Sequence, residues 1–114
     1  MQRNNYVISG GAQGRNRLRV LSDVFGPATR NLLSRVGIPE GANCLDLGCG
    51  GGDVTRELAQ MVGPTGSVLG VDYDAVVLDA ARQEAGDAGL TNASFAAHDV
   101  TSWAPETQFD VVYA

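Results

Sequence analysis

The sequence predicts an α/β fold built on a parallel sheet, and three observations carry that expectation. Short apolar runs bounded by turn residues alternate with segments whose apolar positions recur at helical spacing. Between the first run and the first helical segment stands a glycine cluster, Gly48, Gly50, Gly51 and Gly52. Acids recur where the apolar runs end: Asp46, Asp72 and Asp99. Strands alternating with helices pair in parallel through right-handed crossovers. In such sheets ligands bind beyond the carboxyl ends of the strands, where strand order reverses. The acids and the glycines are therefore expected on one rim.

The chain divides near residue 40. Residues 1–39 read as an N-terminal arm and a helix pair, residues 40–114 as the sheet domain. The arm is polar and glycine-rich, with Tyr6, Val7 and Ile8 as its apolar anchor. Leu18, Leu21, Val24 and Phe25 then mark an amphipathic helix over 17–25. Gly26-Pro27 interrupts it, and Pro27 suits the first turn of a second helix running through Leu32, Leu33 and Val36. Cys44, Leu45 and Leu47 form the first strand, interrupted only by Asp46. A chain that leaves a strand and enters a helix within a few residues needs positive φ or close backbone approach, which glycine tolerates cheaply. The next helix starts near Asp53 with the stripe Val54, Leu58, Met61, Val62, and Gly63-Pro64-Thr65-Gly66 ends it.

Ser67–Asp72 reads as a second buried strand. Asp74 is placed to cap a third helix carrying Val77, Leu78, Ala81, Ala85 and Ala88, closed by Gly89. Residues 92–98 give strand three, 101–107 a loop with Trp103 and Pro105, and 109–114 strand four.

Composition narrows the function classes. With 44% hydrophobic and 18% charged residues in 114, the chain has the makeup of one globular domain. No apolar run approaches the roughly 20 residues that span a bilayer. Met1–Asn5 leads into no signal-peptide core, so a cytoplasmic location is expected. All eight basic residues are Arg and six precede residue 40, yet the net charge of −5 repels a polyanion, so no nucleic-acid partner is expected. Two cysteines and His98 make neither a disulfide scaffold nor a zinc site.

The site residues follow from this frame. Asp46 precedes the glycines as Asp-x-Gly-x-Gly-x-Gly, and a carboxylate at the end of a buried strand is costly unless it is bonded. It therefore ties down loop amides or receives a cationic group of a ligand. Asp72 lies 24 residues after Gly48, the distance at which an acid ending strand two accepts ribose hydroxyls. Asp99 reads equally as a turn former and as a contact to an adenine amino group. Cys49 is expected to act through its backbone.

Taken in order, Leu45-Asp46-Leu47-Gly48-Cys49-Gly50-Gly51-Gly52, Gly70-Val71-Asp72-Tyr73-Asp74, His98-Asp99 and Phe109-Asp110-Val111-Val112-Tyr113-Ala114 resemble the first half of a class I S-adenosylmethionine-dependent methyltransferase, over residues 40–114. The lead-in is similar to that of the small-molecule, ubiquinone/menaquinone-type subgroup. The resemblance implies a Rossmann-like fold and S-adenosyl-L-methionine as cofactor. It places Asp46 with the backbone of Gly48, Cys49 and Gly50 on the methionine part, Asp72 on the ribose and Tyr73 on one face of the adenine. Asp99 and Val100 would meet the adenine edge. Tyr6 and Arg17 are the implied lid and carboxylate contacts.

The implied reaction is direct displacement at the sulfonium methyl by a small-molecule acceptor. Positioning alone can supply roughly 7 to 11 kcal/mol of such a barrier, and no catalytic residue is assigned. The family fold has seven strands, so the chain is expected to be the cofactor-binding half, truncated after strand four. The apolar edge 109–114 is then expected to pair with the missing half or with a second copy. Two other readings stay open. One is a non-catalytic cofactor-binding or interaction module. The other is an NAD-dependent oxidoreductase fragment, disfavoured because Asp53 replaces the third fingerprint glycine and Asp46 would crowd a pyrophosphate.

Overall fold

The computed structural model describes residues 28–114. The arm, the helix expected over 17–25, Tyr6 and Arg17 lie outside the described residues. Residues 28–36 are helical (α1), as Pro27 and the following apolar spacing suggest. There follow β1 (Asn43–Leu47), α2 (Asp53–Val62), β2 (Ser67–Asp72), α3 (Ala75–Asp87), β3 (Ala93–Ala97) and β4 (Val111–Tyr113). The strands form one parallel sheet in the order β3-β2-β1-β4. The chain steps outward from β1 to β3 and then returns to the far side of β1. The switch point expected from the sequence thus lies between β1 and β4, directly beside the glycine turn.

The register aligns Asp46, Gly70 and Phe95 across β1, β2 and β3. Two residues earlier, Cys44, Val68 and Ala93 line up on the same face. The helices cover this face. Leu58, Ala59 and Val62 of α2 pack with Leu33 of α1, Ala42, Cys44 and Val68. Leu78, Ala81 and Ala85 of α3 pack with Cys49 and Phe95. Leu58, Val62 and Leu78 have no exposed surface, and burying each is worth about 1.5–3 kcal/mol.

The close packing rests on Gly70. A Cβ there would stand 2.9 Å from both Phe95 Cδ1 and Thr55 Oγ1 and 3.0 Å from Cys49 Sγ. Absence of a side chain at the centre of β2 lets the start of α2 sit against the strand.

The sequence placed most ends within a residue or two. Asp74 caps α3, its carboxylate accepting from the amides of Val76 and Val77. Strand four is the clearest departure, since the expected 109–114 contracts to Val111–Tyr113. Asp110 is the reason. Its Oδ2 accepts from the Asn43 amide at 2.8 Å and its own amide donates to the Asn43 carbonyl, an end clamp that leaves 109 and 110 outside the ladder. Strand three ends at Ala97, the His98 amide making the last ladder bond, to the Asp72 carbonyl, before the chain turns.

Candidate functional site

The rim at the carboxyl ends of β1, β2 and β3 is built around the glycine turn. Gly48, Gly50 and Gly52 have φ of 69°, 54° and 84°, conformations that other residues adopt only with strain. The turn is pinned to the neighbouring strand. The amides of Gly48 and Cys49 both donate to the Val71 carbonyl, at 2.7 and 3.0 Å. Gly50 donates to Asp72 Oδ2 at 2.9 Å, and Gly52 to the Cys49 carbonyl at 3.0 Å.

Gly51 differs from its neighbours. Its φ is not positive, and a Cβ added there would meet no atom within 4 Å, although the residue is buried. Its amide has no partner among the described residues. The turn thus commits every amide from Gly48 to Gly52 except the one at its tip.

Asp72 is 6% exposed and accepts two backbone hydrogen bonds, Oδ2 from Gly50 and Oδ1 from Asp74 at 3.1 Å. A carboxylate oxygen accepts more than one donor, so each keeps a site for a hydroxyl. The two acids of the fingerprint therefore do different work. Asp46 has no exposed surface, and its Oδ2 accepts from the Thr55 hydroxyl at 2.7 Å. Beside the two roles the sequence left open for Asp46, tying down loop amides or meeting a ligand cation, this bond adds a further one. It joins the end of β1 to the first turn of α2, across the base of the glycine turn.

Around this centre the rim is partly apolar. Tyr73 is 70% exposed, and Val76 and Val100 are also exposed. Cys49 is buried, with its thiol on the Gly50 carbonyl and its amide in the strand-end bond described above.

Asp99 organises the loop after β3. Its Oδ1 accepts from the Thr101 amide and hydroxyl at 3.0 and 2.6 Å, and its carbonyl accepts from the amides of Ser102 and Trp103. The Thr101 hydroxyl, and then its amide, hold the Asp99 carboxyl below the usual carboxylate range. The turn former of the two sequence readings is thus present, and its second oxygen, Oδ2, accepts no bond among the described residues. The same turn stacks His98 on Trp103, with ring centroids 4.8 Å apart and 14° between planes.

Sequence reasoning missed Thr55, Arg56 and Glu84. Arg56 sits one turn into α2 and donates through Nη1 to the Gly51 carbonyl at 3.1 Å. It also pairs with Asp53 on its own helix and with Glu84 of α3, the latter at 3.1 Å. One signal existed: Arg56 is one of only two basic residues after residue 40. Among the described residues there is no cluster of His, Cys, Asp and Glu that could hold a metal ion, and no helix is long and apolar enough to cross a membrane.

Comparison with known proteins agrees with this architecture. A family described as "Methyltransferase domain" matches residues 38–114. The trans-aconitate 2-methyltransferase of Variovorax paradoxus is 41% identical over 86 residues, which cover 75% of this chain and 31% of that protein. The nocamycin O-methyltransferase of Saccharothrix syringae is 39% identical over 93 residues, covering 81% of this chain and 33% of that protein. The chain thus spans about a third of the length of these curated relatives. A SAM-dependent methyltransferase from Aquifex aeolicus superposes with a TM-score of 0.74 at 24% identity, over 86% of this chain and 54% of that one.

Proposed function

The chain belongs to the class I S-adenosylmethionine-dependent methyltransferase family, and on that premise we propose that it is the cofactor-binding half of an enzyme that methylates a small-molecule acceptor. One observation carries the reading. The acid that ends β2 meets the glycine turn that ends β1, Gly50 on Asp72, on the side of β1 away from the switch point, and between them they leave the open Cβ direction and uncommitted amide of Gly51. That is a cradle for a ligand with a diol on one side and a group seeking backbone donors on the other.

The residues present fit S-adenosylmethionine. Asp72, with acceptor capacity left on both oxygens, takes the ribose hydroxyls. The exposed ring of Tyr73 takes one face of the adenine, with Val100 and Asp99 at its edge. The backbone of Gly48, Cys49 and Gly50 shapes the turn that receives the methionine part. Asp46, buried beneath it, acts by fixing the turn against Thr55. The cofactor supplies an activated methyl group. What the chain supplies is orientation, which needs no proton-transfer residue on this half, and no catalytic residue is assigned. Two matched relatives named for small acceptors, trans-aconitate and nocamycin, support that acceptor class. A cytoplasmic location belongs to the same reading. So does pairing of β4 with a further strand from a continued chain or a second copy.

The test is isothermal titration of the 114-residue chain with S-adenosylhomocysteine, with NAD as control and circular dichroism to establish folding. Binding of the homocysteine compound alone supports the reading. A folded chain that prefers NAD sinks it. A folded chain that binds neither points to the second reading, a non-catalytic interaction module.

A further inference from the structure

We propose that Arg56 is a positioning residue that latches the peptide between Gly51 and Gly52, keeping the tip of the glycine turn in its ligand-receiving orientation. The proposal rests on the cofactor reading above. A peptide flanked by two glycines is the easiest in a chain to turn over, because neither side has a Cβ to oppose the change. Turning it would carry φ of Gly52 from 84° toward the negative side, which any residue accepts. The Gly51 carbonyl would then leave Arg56 and point where the Gly52 amide now points, at the Cys49 carbonyl, so the turn would lose both bonds that hold its tip in shape beneath the ligand.

Two bonds resist the rotation among the described residues. At one end of the peptide the Gly52 amide donates to the Cys49 carbonyl at 3.0 Å, and at the other Arg56 Nη1 holds the Gly51 carbonyl at 3.1 Å. The second is charge-assisted and therefore the stronger. The guanidinium is itself held in place. It is 19% exposed and braced by Asp53 from its own helix and Glu84 from α3, so its direction is set by two elements. Glu84 thereby ties the tip of the turn to the helix that follows Asp72. Both halves of the cradle share one brace.

A shorter cation should do this only in part. Lysine offers its donors from one point and lacks the planar fork that spans acceptors on different elements.

The experiment combines S-adenosylhomocysteine titration with nitrogen-15 relaxation dispersion on the Gly51 and Gly52 amides, in the natural chain, Arg56→Met and Arg56→Lys. The proposal expects about tenfold weaker binding for Arg56→Met, the size expected for losing one charge-assisted hydrogen bond. It also expects millisecond exchange at those two amides, and intermediate values of both for Arg56→Lys. Unchanged affinity and quiet Gly51 and Gly52 signals in a folded Arg56→Met or Arg56→Lys chain overturn it. Should the natural chain fail to bind the probe, the cofactor reading falls, and the amide exchange alone decides whether the latch exists.

Discussion

Replacing Gly51 and Gly52 by alanine, one at a time, separates what the turn needs in order to fold from what it needs in order to bind. At Gly52 the backbone has φ of 84°, and a Cβ would stand 3.0 Å from Phe95 Cε1 and 3.2 Å from the Ala81 Cβ. The conformational strain alone is about 1–2 kcal/mol, and crowding a packed core adds about 1–3 kcal/mol. Gly52→Ala should therefore destabilise the chain by about 2–5 kcal/mol on those two counts together. At Gly51 neither term applies, since φ is not positive and the space is open. Gly51→Ala should be neutral or should stabilise by up to about 1 kcal/mol, by restricting the unfolded chain. Urea denaturation followed by circular dichroism reads both. The binding prediction runs the other way. A methyl group placed in the cradle at Gly51 should cost S-adenosylhomocysteine about tenfold or more in affinity, a crowding cost of the same kind. A Gly51→Ala chain that binds as tightly as the natural one would show that no ligand lies against the turn.

Three further outcomes follow from the same contacts. Thr55→Val leaves the buried Asp46 carboxylate short of a hydroxyl donor and should cost about 1–3 kcal/mol in urea denaturation; a loss below about 0.5 kcal/mol would mean that other partners carry Asp46. Because the Asp99 carboxyl is held below its ordinary range, its bonds to Thr101 favour the folded turn above that range and are lost as pH falls through the lowered value. Fluorescence of Trp103, the sole tryptophan, should report unstacking from His98 on strong acidification, and Thr101→Val should move that change to higher pH; an identical profile in the variant refutes the link. Burial, with a smaller contribution from the Asp110 carboxylate, pushes the Cys44 thiol up, and Cys49 is buried as well, so a thiol reagent should label neither faster than the chain unfolds.

Much of this was legible because local chemistry fixed it. The cap at Asp74 needs only a short acceptor side chain before an apolar-periodic run, and the glycine turn needs only the crowding of a strand-to-helix corner. Parallel pairing was implied by the alternation of strands and helices, whereas the order β3-β2-β1-β4 was not. What could not be read were partners set by tertiary register. A carboxylate inside a buried strand announced that Asp46 required a donor, but Thr55 becomes its neighbour only once α2 folds back over Gly70. The brace from Arg56 to Glu84 spans two helices, and nothing at either position advertises the other. Strand four was drawn too long because Phe109 and Asp110 continue an apolar alternation, whereas the Asp110 carboxylate closes the ladder on Asn43 instead of extending it. The Asp99 turn was one of two readings at equal weight. Its side-chain bonds to Thr101 settle the local conformation without touching what Oδ2 does.

The central claim is that the rim at β1, β2 and β3 is one cofactor cradle, and residue-resolved titration with S-adenosylhomocysteine tests it most directly. Amide shifts in the nitrogen-15 spectrum should move together, with a single affinity, at Gly50 to Gly52, at Asp72 and Tyr73, and at Asp99 and Val100. Shifts that are absent from the glycine turn, or that cluster away from these three strand ends, would contradict the account.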